Sequence, residues 1–213
     1  MPTFREALTG MWARFNPEDL ATAEAFARDP DLVWQWYQWR RDLVAAARPN
    51  PAHVALAAME RLVPRLTLIT QNVDGLHQQA GSRQVIEFHG NLHRNRCAVD
   101  RELVEMDVSS SRRPPRCPRC GGLLRPDVVW FGEPIPVTAL ALARTAASDC
   151  DLFVSAGTSA LVEPAASLAM LAQEAGAIIV EINPDETPLT ARADFRLQGL
   201  AGLVLPTLAS ALC

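Results

Sequence analysis

The sequence predicts an α/β fold in which a parallel sheet carries helices on its faces, and three observations support this prediction. Short apolar runs alternate with helical patterns along most of the chain, which is typical of a parallel sheet. The first third of the chain shows helical patterns only. A polar segment rich in Arg, Ser and Pro, residues 91–126, interrupts the alternation and holds three of the five cysteines. It predicts a small inserted module that needs a metal to hold it together.

The elements are predicted in chain order. Helical patterns at ATAEAFARDP, LVWQWYQWRRDLVAAA and AHVALAAMERL are separated by the breakers Pro30, Pro49, Asn50 and Pro51. LTLIT and VIEFHG predict two short buried strands, joined by the turn and helix NVDGLHQQAGS. After the insert, VVWF, DLFVSAG and AIIVEIN predict strands that alternate with the helices VTALALARTAA and PAASLAMLAQEAG, and LVLPTLASAL closes the chain. This order predicts a Rossmann-like sheet.

Composition and charge exclude several classes of protein. With 213 residues, 49% of them hydrophobic and 21% charged, the chain is long and apolar enough to fold around its own core. A net charge of −4 argues against a protein that mainly binds nucleic acid or anionic lipid. No apolar run approaches 18 residues, and MPTFREALTGM lacks the layout of a secretion signal. We therefore expect no membrane association and a cytoplasmic location.

Polar residues follow three of the predicted strands, where ligands of parallel sheets bind. TQNVDGLH places Gln71, Asn72 and Asp74 after LTLIT, and these groups suit ribose hydroxyls and a carboxamide. The alternative is a helix N-terminus capped by Asn72 or Asp74. Asn183 or Asp185, after AIIVE, could bind a nucleotide ribose, although an Asn-Pro turn explains them equally well.

The third strand end is GTSALVEPA, after DLFVSA. Gly157 permits close backbone approach, and Thr158 and Ser159 can cap the next helix while offering amides to a phosphate. His89, between VIEF and Gly90, would place an imidazole with a near-neutral pKa at a strand end, which suits proton transfer. A structural histidine is the alternative.

The cysteine cluster predicts a zinc-ribbon-type module. Cys97 and the pair Cys117 and Cys120 supply three ligands, and Asp100 stands where the fourth thiolate is expected. A carboxylate also binds zinc, so the set predicts a structural zinc held by three thiolates, with Asp100 or water in the fourth position. The alternative is a decayed site.

The motifs TQNVDGLH, FHGNLHRNRC, CPRCGGLLRPDVVWFGE, SAGTSALVEPA and VEINPDETPL, in this order and spacing, resemble the sirtuins, which are NAD-dependent protein lysine deacylases. The resemblance covers nearly the whole chain. It implies an enzyme that removes acetyl, succinyl or malonyl groups from acylated-lysine protein substrates. The implied products are deacylated lysine, nicotinamide and O-acyl-ADP-ribose, with NAD consumed and one structural zinc bound.

The resemblance also implies roles for individual residues. His89 resembles the base that deprotonates a ribose hydroxyl after the acyl oxygen has attacked the nicotinamide ribose. The strip implied to bind the substrate peptide as an added strand is Val128, Val129, Trp130 and Phe131. The residues implied to bind NAD are Phe4, Arg5, Gln71, Asn72, Val73, Asp74, Gly157, Thr158, Ser159, Asn183 and Ala201.

Three further residues resemble the sirtuin branch that prefers acidic acyl groups: Ala7, Tyr37 and Arg40. Ala7 matches the small residue of an enlarged acyl pocket. Arg40 would pair with a malonyl or succinyl carboxylate in a two-oxygen geometry that lysine cannot reproduce. The alternative for Tyr37 and Arg40 is an amphipathic helix surface beside a tryptophan-rich core.

The chain departs from the family at its beginning. Sirtuins start with a strand and a glycine-rich turn of the type GAGxSxxSGIPxFR, whereas this chain starts at PTFR. We therefore expect residues 1–213 to form an N-terminally truncated sirtuin-like domain, in which the neighbours of the lost strand have unpaired backbone groups. The alternatives are an upstream start codon, or a catalytically impaired remnant that binds NAD or ADP-ribose weakly.

Overall fold

A computed structural model describes residues 16–212 of the chain. Contacts divide these residues into two compact units. Among the described residues no helix combines the length and the apolar character needed to cross a membrane. The first unit contains the described residues up to Ala47 together with Val73–Gly75 and His89–Pro134, and the second contains Arg48–Asn72, Leu76–Phe88 and the residues from Ile135 onward.

The elements are numbered along the chain. Helices α1 to α8 span Pro17–Leu20, Ala23–Arg28, Pro30–Ala46, Pro51–Leu62, Leu76–Gln79, Val137–Ser148, Ser167–Glu174 and Ala201–Ala211. Strands β1 to β8 span Leu68–Thr70, Val85–Glu87, Gly90–Cys97, Leu103–Val104, Leu124–Val128, Leu152–Ala156, Ile178–Asn183 and Phe195–Gln198.

Two of the predicted breakers start helices. Pro30 is the first residue of α3, and the Asp29 carboxylate accepts a hydrogen bond from Leu32 N at 3.0 Å. Pro51 is the first residue of α4, after the N-cap Asn50. Proline suits this position because the first helical N–H has no partner inside the helix. The prolines therefore fix where the helices begin.

The first unit is built on an antiparallel sheet with strand order β4-β3-β5. Gly90 lies opposite Val128 at one end of the β3-β5 pair, and Cys97 lies opposite Leu124 at the other. A Cβ on Gly90 would lie 2.1 Å from the Asp127 carbonyl oxygen, so only glycine allows this approach of β3 to β5. The sheet thereby fixes the chain that carries His89 and Cys97.

Helix α3 contributes aromatic side chains to both cores of the first unit. Trp36 and Tyr37 are at most 1% exposed and pack in a cluster with Phe26 and Trp130. Trp34, on another side of the helix, packs in a separate cluster around the cysteines. The tryptophan side chains of this helix therefore pack in two separate apolar clusters.

The second unit contains five parallel strands in two sheets, β1-β2 and β6-β7-β8. Helix α4 packs against α8, and their apolar side chains form a core with Ile182 of β7. Helix α6 packs against α7 and β2. The predicted alternation of parallel strands and helices is confirmed in this unit.

The parallel strands form two separate sheets within the described residues. Within residues 16–212, no strand pairs with the free edge of β1 or of β6. The two strands are linked instead by side chains beyond their carboxyl ends, where Gln71 Nε2 donates to Thr158 Oγ1 at 3.2 Å. Backbone pairing therefore stops at each of these edges in the described part of the chain.

Two predicted strands end earlier than expected. VIEFHG ends as a strand at Glu87, because Phe88 and His89 form a turn before β3. VVWF extends beyond β5, which runs from Leu124 to Val128. The chain leaves the sheet there, and the positive φ of +81° at Gly132 shows the sharp turn that follows.

Candidate active site and metal centre

The segment after β1 carries Gln71 and Asn72, as the sequence predicts. Thr70 Oγ1 accepts a hydrogen bond from Asn72 N at 3.1 Å, which turns the chain at the strand end. Asn72 is exposed and Gln71 is half-buried. The two amide side chains therefore lie at the carboxyl end of a parallel strand, where they can donate and accept hydrogen bonds with a ligand.

Val73 and Asp74 continue this segment and belong to the first unit. Leu92 N donates to the Val73 carbonyl at 2.8 Å, and His93 Nε2 lies 3.1 Å from the Asp74 carbonyl. Gly75 has a φ of +71°, which favours glycine. These contacts hold the backbone of Val73 and Asp74 against β3.

The segment after β6 begins with Gly157, whose N–H continues the ladder to the Ile182 carbonyl at 2.9 Å. Gly157 has a φ of +65°, and no atom of residues 16–212 lies within 4 Å of the position its Cβ would take. The backbone is therefore open to a ligand. The prediction that Thr158 and Ser159 cap the next helix is wrong, because α7 begins only at Ser167.

Thr158 joins the three strand-end segments of the second unit. Its hydroxyl accepts from Gln71 Nε2 at 3.2 Å, and its carbonyl accepts from Asn183 Nδ2 at 2.8 Å. Asn183 Oδ1 also accepts from Asp185 N at 3.3 Å, so the predicted Asn-Pro turn is present as well. Ala201 is half-buried at the start of α8. Hydrogen bonds to this one residue thus link the ends of β1, β6 and β7.

Glu181 was not predicted to contribute to the site. It is 1% exposed, and its carboxylate accepts hydrogen bonds from the Thr187 hydroxyl and, at 2.5 Å, from the Thr190 hydroxyl. Thr190 Oγ1 in turn accepts from Thr187 N at 2.9 Å. This Glu181 clasp shapes the loop that follows Asn183. A glutamate within the apolar run AIIVEIN was the signal in the sequence.

His89 lies half-buried in the turn between β2 and β3. Its carbonyl accepts a hydrogen bond from Val129 N at 3.0 Å, and the neighbouring Gly90 is held against β5. The backbone of His89 is therefore fixed on both sides. The position of the His89 Cα is thereby fixed, which suits a residue whose side chain transfers protons.

The predicted peptide-binding strip is Val128, Val129, Trp130 and Phe131. The N–H groups of the last three residues donate to the His89 carbonyl, the Glu133 carboxylate and the Ala21 carbonyl at 3.0, 2.9 and 2.9 Å. These donors are therefore not available to an added strand. Phe131 is 48% exposed, whereas Val128 and Trp130 are buried. The Val128 carbonyl already accepts from Arg125 Nη2 at 2.6 Å and the Trp130 carbonyl from Glu133 N at 3.0 Å. A carbonyl oxygen can accept a second hydrogen bond, so the strip offers a peptide these second lone pairs and the exposed Phe131 side chain.

Tyr37 and Arg40 lie on one face of α3. Tyr37 is fully buried, and its hydroxyl accepts from Trp130 Nε1 at 2.9 Å. The Arg40 guanidinium carbon lies 5.1 Å from the Trp36 ring centroid and 5.5 Å from that of Tyr37. Burial lowers the pKa of Arg40, and the neighbouring Tyr37 and Asp74 oppose this shift. The Arg40 cation is therefore stabilised by contact with the two aromatic rings.

The four predicted metal ligands come together in the first unit. One ligand atom from each of Cys97, Asp100, Cys117 and Cys120 lies within 4.8 Å of the others. Cys97 and Cys117 are buried, and the Cys97 and Cys120 sulfurs are 3.3 Å apart. Tetrahedral zinc with bonds of about 2.3 Å to sulfur needs ligand atoms at about this spacing.

The loop around Cys117 and Cys120 is shaped to present its sulfurs. Cys117 N donates to the Gly122 carbonyl at 2.6 Å, and Gly121 N donates to the Cys117 carbonyl at 2.9 Å. A Cβ on Gly122 would lie 2.6 Å from the Val99 side chain, so the loop needs glycine there. Three thiols and one carboxylate in this arrangement fit a structural zinc.

Three predicted residues, Phe4, Arg5 and Ala7, lie outside the described residues. The other predicted NAD-binding residues divide between the two units. Val73 and Asp74 belong to the first, and the second contains Gln71, Asn72, Gly157, Thr158, Ser159, Asn183 and Ala201.

Comparison with known proteins identifies the family. The model of the Sir2 family matches residues 1–164. An NAD-dependent protein deacylase of Methylococcus capsulatus is 51% identical over 220 residues, which cover 100% of this chain and 86% of that protein. The NAD-dependent protein deacylase 1 of Pseudomonas aeruginosa is 50% identical over 216 residues, covering 98% of this chain and 86% of that protein.

Solved structures give the same result. A Sir2 homologue in complex with NAD is 48% identical, with a TM-score of 0.93, and the match covers 99% of this chain and 82% of that one. A Sir2 protein bound to an acetylated peptide is 30% identical, with a TM-score of 0.83, over 91% of this chain and 83% of that one. With its strand-end segments, its cysteine cluster and these relatives, this chain belongs to the Sir2 family, the sirtuins.

Proposed function

We propose that this chain removes acyl groups from lysine side chains of protein substrates and consumes NAD in doing so. The observation that carries the proposal is the linkage through Thr158, which brings the ends of β1, β6 and β7 together. Ligands of parallel sheets bind at such strand ends. The relatives named NAD-dependent protein deacylase match this chain over its whole length, which supports the same activity.

The residues at these strand ends fit NAD by their chemistry. In this proposal Gln71 and Asn72 bind the ribose next to the nicotinamide, and Val73 and Asp74 bind the carboxamide. The open backbone of Gly157 lets the adenosine half approach closely. Thr158, Ser159, Asn183 and Ala201 complete this half of the site. When bound, NAD supplies the ribose carbon that accepts the acyl oxygen as nicotinamide leaves.

His89 is the general base in this proposal. Its fixed backbone presents the imidazole to a ribose hydroxyl, from which it takes a proton. The substrate peptide binds along the strip Val128 to Phe131 through carbonyl oxygens and the exposed Phe131 ring, because the N–H donors of that strip have partners within the protein. Main-chain contacts of this kind bind many sequences, so acyl-lysine is what the enzyme selects.

The acyl group that fits best carries a terminal carboxylate, and we include this preference in the proposal. Arg40 offers a cation supported by the Trp36 and Tyr37 rings. A succinyl or malonyl carboxylate gains charge-assisted hydrogen bonds there, worth about 1.5–3 kcal/mol. An acetyl group makes no such bond and leaves the guanidinium without the carboxylate. Ala7, which matches the family's pocket-enlarging residue, belongs to the same proposal.

We place this activity in the cytoplasm. Cys97, Cys117, Cys120 and Cys150 are all free thiols. The metal centre requires its cysteines as thiolates, and a reducing compartment keeps them so.

The acyl preference is tested by comparing succinyl, malonyl and acetyl forms of one lysine peptide. We expect the wild type to favour the acidic forms by about one to two decades in kcat/KM. Arg40→Met keeps an apolar stem and removes the cation, so we expect the ratio to fall to about one. Product formation is followed by mass spectrometry, with NAD omitted from a parallel reaction.

The control is Arg28→Met, which removes an exposed arginine from the last turn of α2 in the same unit. We expect it to leave the acyl ratio unchanged. A wild type that prefers acetyl, or an Arg40→Met variant with the wild-type ratio, would show that the acidic-acyl preference is wrong. NAD-dependent deacetylation would then remain as the function.

A further inference from the structure

Arg119 lies beside the single oxygen ligand of the metal cluster. Its Nε donates to Asp100 Oδ2 at 3.3 Å, and its Nη2 donates to Asp100 Oδ1 at 3.2 Å, so the guanidinium meets both carboxylate oxygens. The remaining nitrogen, Nη1, donates to the Leu103 carbonyl at 3.3 Å. Three contacts therefore fix the guanidinium between the Cys117–Cys120 loop and the start of β4.

The two oxygens of Asp100 have different surroundings. Oδ1 accepts a second hydrogen bond, from Glu102 N at 2.9 Å, so both of its lone pairs are in use. Oδ2 lies 4.0 Å from the Cys117 sulfur. Oδ2 is therefore the oxygen that faces the thiolates, and Arg119 together with the Glu102 amide sets this orientation.

Charge gives Arg119 a second role at the same place. Three thiolates and one carboxylate carry four negative charges, and a zinc ion leaves a net charge of −2 on the cluster. Carboxylates that bind metals are normally held by hydrogen bonds from outside the ligand set, and these outer contacts affect metal affinity. Arg119 supplies both a two-oxygen contact and a positive charge.

We propose that Arg119 is a positioning residue of the metal centre, which enables an aspartate to serve as the fourth zinc ligand. It acts through Asp100 and does not itself contact the metal. Asp100 binds zinc through Oδ2 while Arg119 holds both oxygens and offsets part of the cluster's negative charge. The proposal rests on zinc binding by the four ligands and extends it to a residue outside the ligand set.

A double-mutant cycle on zinc affinity tests the proposal. The affinity is measured by competition with a chromophoric chelator for the wild type, Arg119→Met, Asp100→Cys and the double variant. We expect Arg119→Met to weaken zinc binding about three- to tenfold. This loss is at or below the usual effect of removing a contact to a metal ligand, because the Arg119–Asp100 pair is partly exposed to solvent. In the Asp100→Cys background, where no carboxylate needs orienting, we expect Arg119→Met to change the affinity less than about twofold.

Arg116→Met is the matched control, because Arg116 directly precedes the Cys117–Cys120 loop and its guanidinium donates to the Gly121 carbonyl at 2.8 Å. We expect it to leave zinc affinity unchanged. Thiolate-to-cobalt absorption of the cobalt(II) forms verifies that each variant keeps a folded three-thiolate site. If Arg119→Met does not fold, Arg119→Lys replaces it, because lysine keeps the charge and loses the two-oxygen contact.

Two results would overturn the proposal. One is unchanged or tighter zinc binding in the Arg119 variant. The other is an equal loss of affinity with Asp100 and with cysteine at position 100, because Arg119 would then act through its general charge. A wild-type protein that takes up no zinc would instead contradict the metal centre itself.

Discussion

Glu181 shows how one buried residue can organise a binding loop. A carboxylate that is 1% exposed costs much free energy unless hydrogen bonds satisfy it. The hydroxyls of Thr187 and Thr190 do so, and the loop between β7 and β8 closes around the carboxylate. Asn183, the last residue of β7 before this loop, is proposed to bind the adenosine half of NAD. If Asn183 binds NAD as proposed, the clasp connects a core residue to cofactor affinity.

Thr190→Val tests this connection by removing one hydroxyl with little change of shape. We expect a loss of about 1–3 kcal/mol in the free energy of unfolding, because a buried carboxylate oxygen loses its donor. We also expect the KM for NAD to rise about three- to tenfold, with kcat at saturating NAD within about twofold of the wild type, since a misplaced loop weakens binding rather than chemistry. Thermal denaturation and steady-state kinetics measure the two effects.

Thr190→Ser should restore both values, and Thr207→Val serves as the control. Thr207 is exposed on α8, where its hydroxyl donates to the Leu203 carbonyl at 3.2 Å. If Thr190→Val lowers stability and leaves the KM for NAD unchanged, the clasp is a structural feature without influence on the NAD site.

Elements differ in how well the sequence predicts them. The runs DLFVSAG and AIIVEIN form the parallel strands β6 and β7, because apolar runs of this length with β-branched residues favour strands. The prediction that VVWF forms a strand is wrong beyond Val128, because the Trp130 side chain packs in the aromatic core and the chain leaves the sheet. Periodicity cannot reveal such a change, since it depends on contacts with residues distant in sequence.

The turn after β5 depends on a buried ion pair that the sequence analysis did not predict. Arg125 is 7% exposed and lies with its guanidinium carbon 3.3 Å from the Trp130 ring centroid. Its Nη1 and Nη2 donate to the Glu133 carboxylate at 2.5 and 2.9 Å. Burial alone would raise the pKa of Glu133, but the hydrogen bonds from Arg125 and Trp130 N lower it below its usual value.

Glu133→Gln should destabilise the protein by about 1–3 kcal/mol at pH 7, because a buried guanidinium loses its counter-ion. The loss should depend on pH. The folded-state pKa of Glu133 is lowered, so the ionised carboxylate adds its full share to the free energy of unfolding above the unfolded-state pKa of about 4.3. This stabilisation is lost as the pH falls through the folded-state pKa. The difference between wild type and variant should therefore shrink below about pH 4.

Chemical denaturation at pH 7 and at about pH 3.5 measures this difference. Glu186→Gln is the control, because Glu186 is exposed and pairs with Arg196 at the surface. It should change the unfolding free energy by less than about 1 kcal/mol. An equal difference between wild type and Glu133→Gln at both pH values would contradict the assigned ion pair.

At the scale of the whole molecule, the chain passes repeatedly from one unit to the other. Three of these passages fall within the predicted site segments, at Asn72 to Val73, at Gly75 to Leu76 and at Phe88 to His89. The motifs TQNVDGLH and FHGNLHRNRC therefore each contribute to more than one core. The sequence alone predicted their chemistry from strand ends and family resemblance, but not this division, which depends on contacts between distant segments.

The molecule's composition makes its activity simple to measure. The chain contains no lysine, and its 20 basic residues other than histidine are all arginine. Any acyl-lysine signal in a reaction therefore belongs to the substrate, and the enzyme cannot serve as its own acyl donor.

The central claim is that this chain deacylates lysine through His89 and NAD. The measurement that tests it most directly follows acyl loss and nicotinamide release from one succinyl-lysine peptide, with wild type and His89→Ala, with and without NAD. We predict one nicotinamide per acyl group removed, no reaction without NAD, and a rate at least about 10²-fold lower in the variant, which should still bind ADP-ribose and unfold at the wild-type temperature. Full activity of His89→Ala, or acyl loss without NAD, would contradict the account.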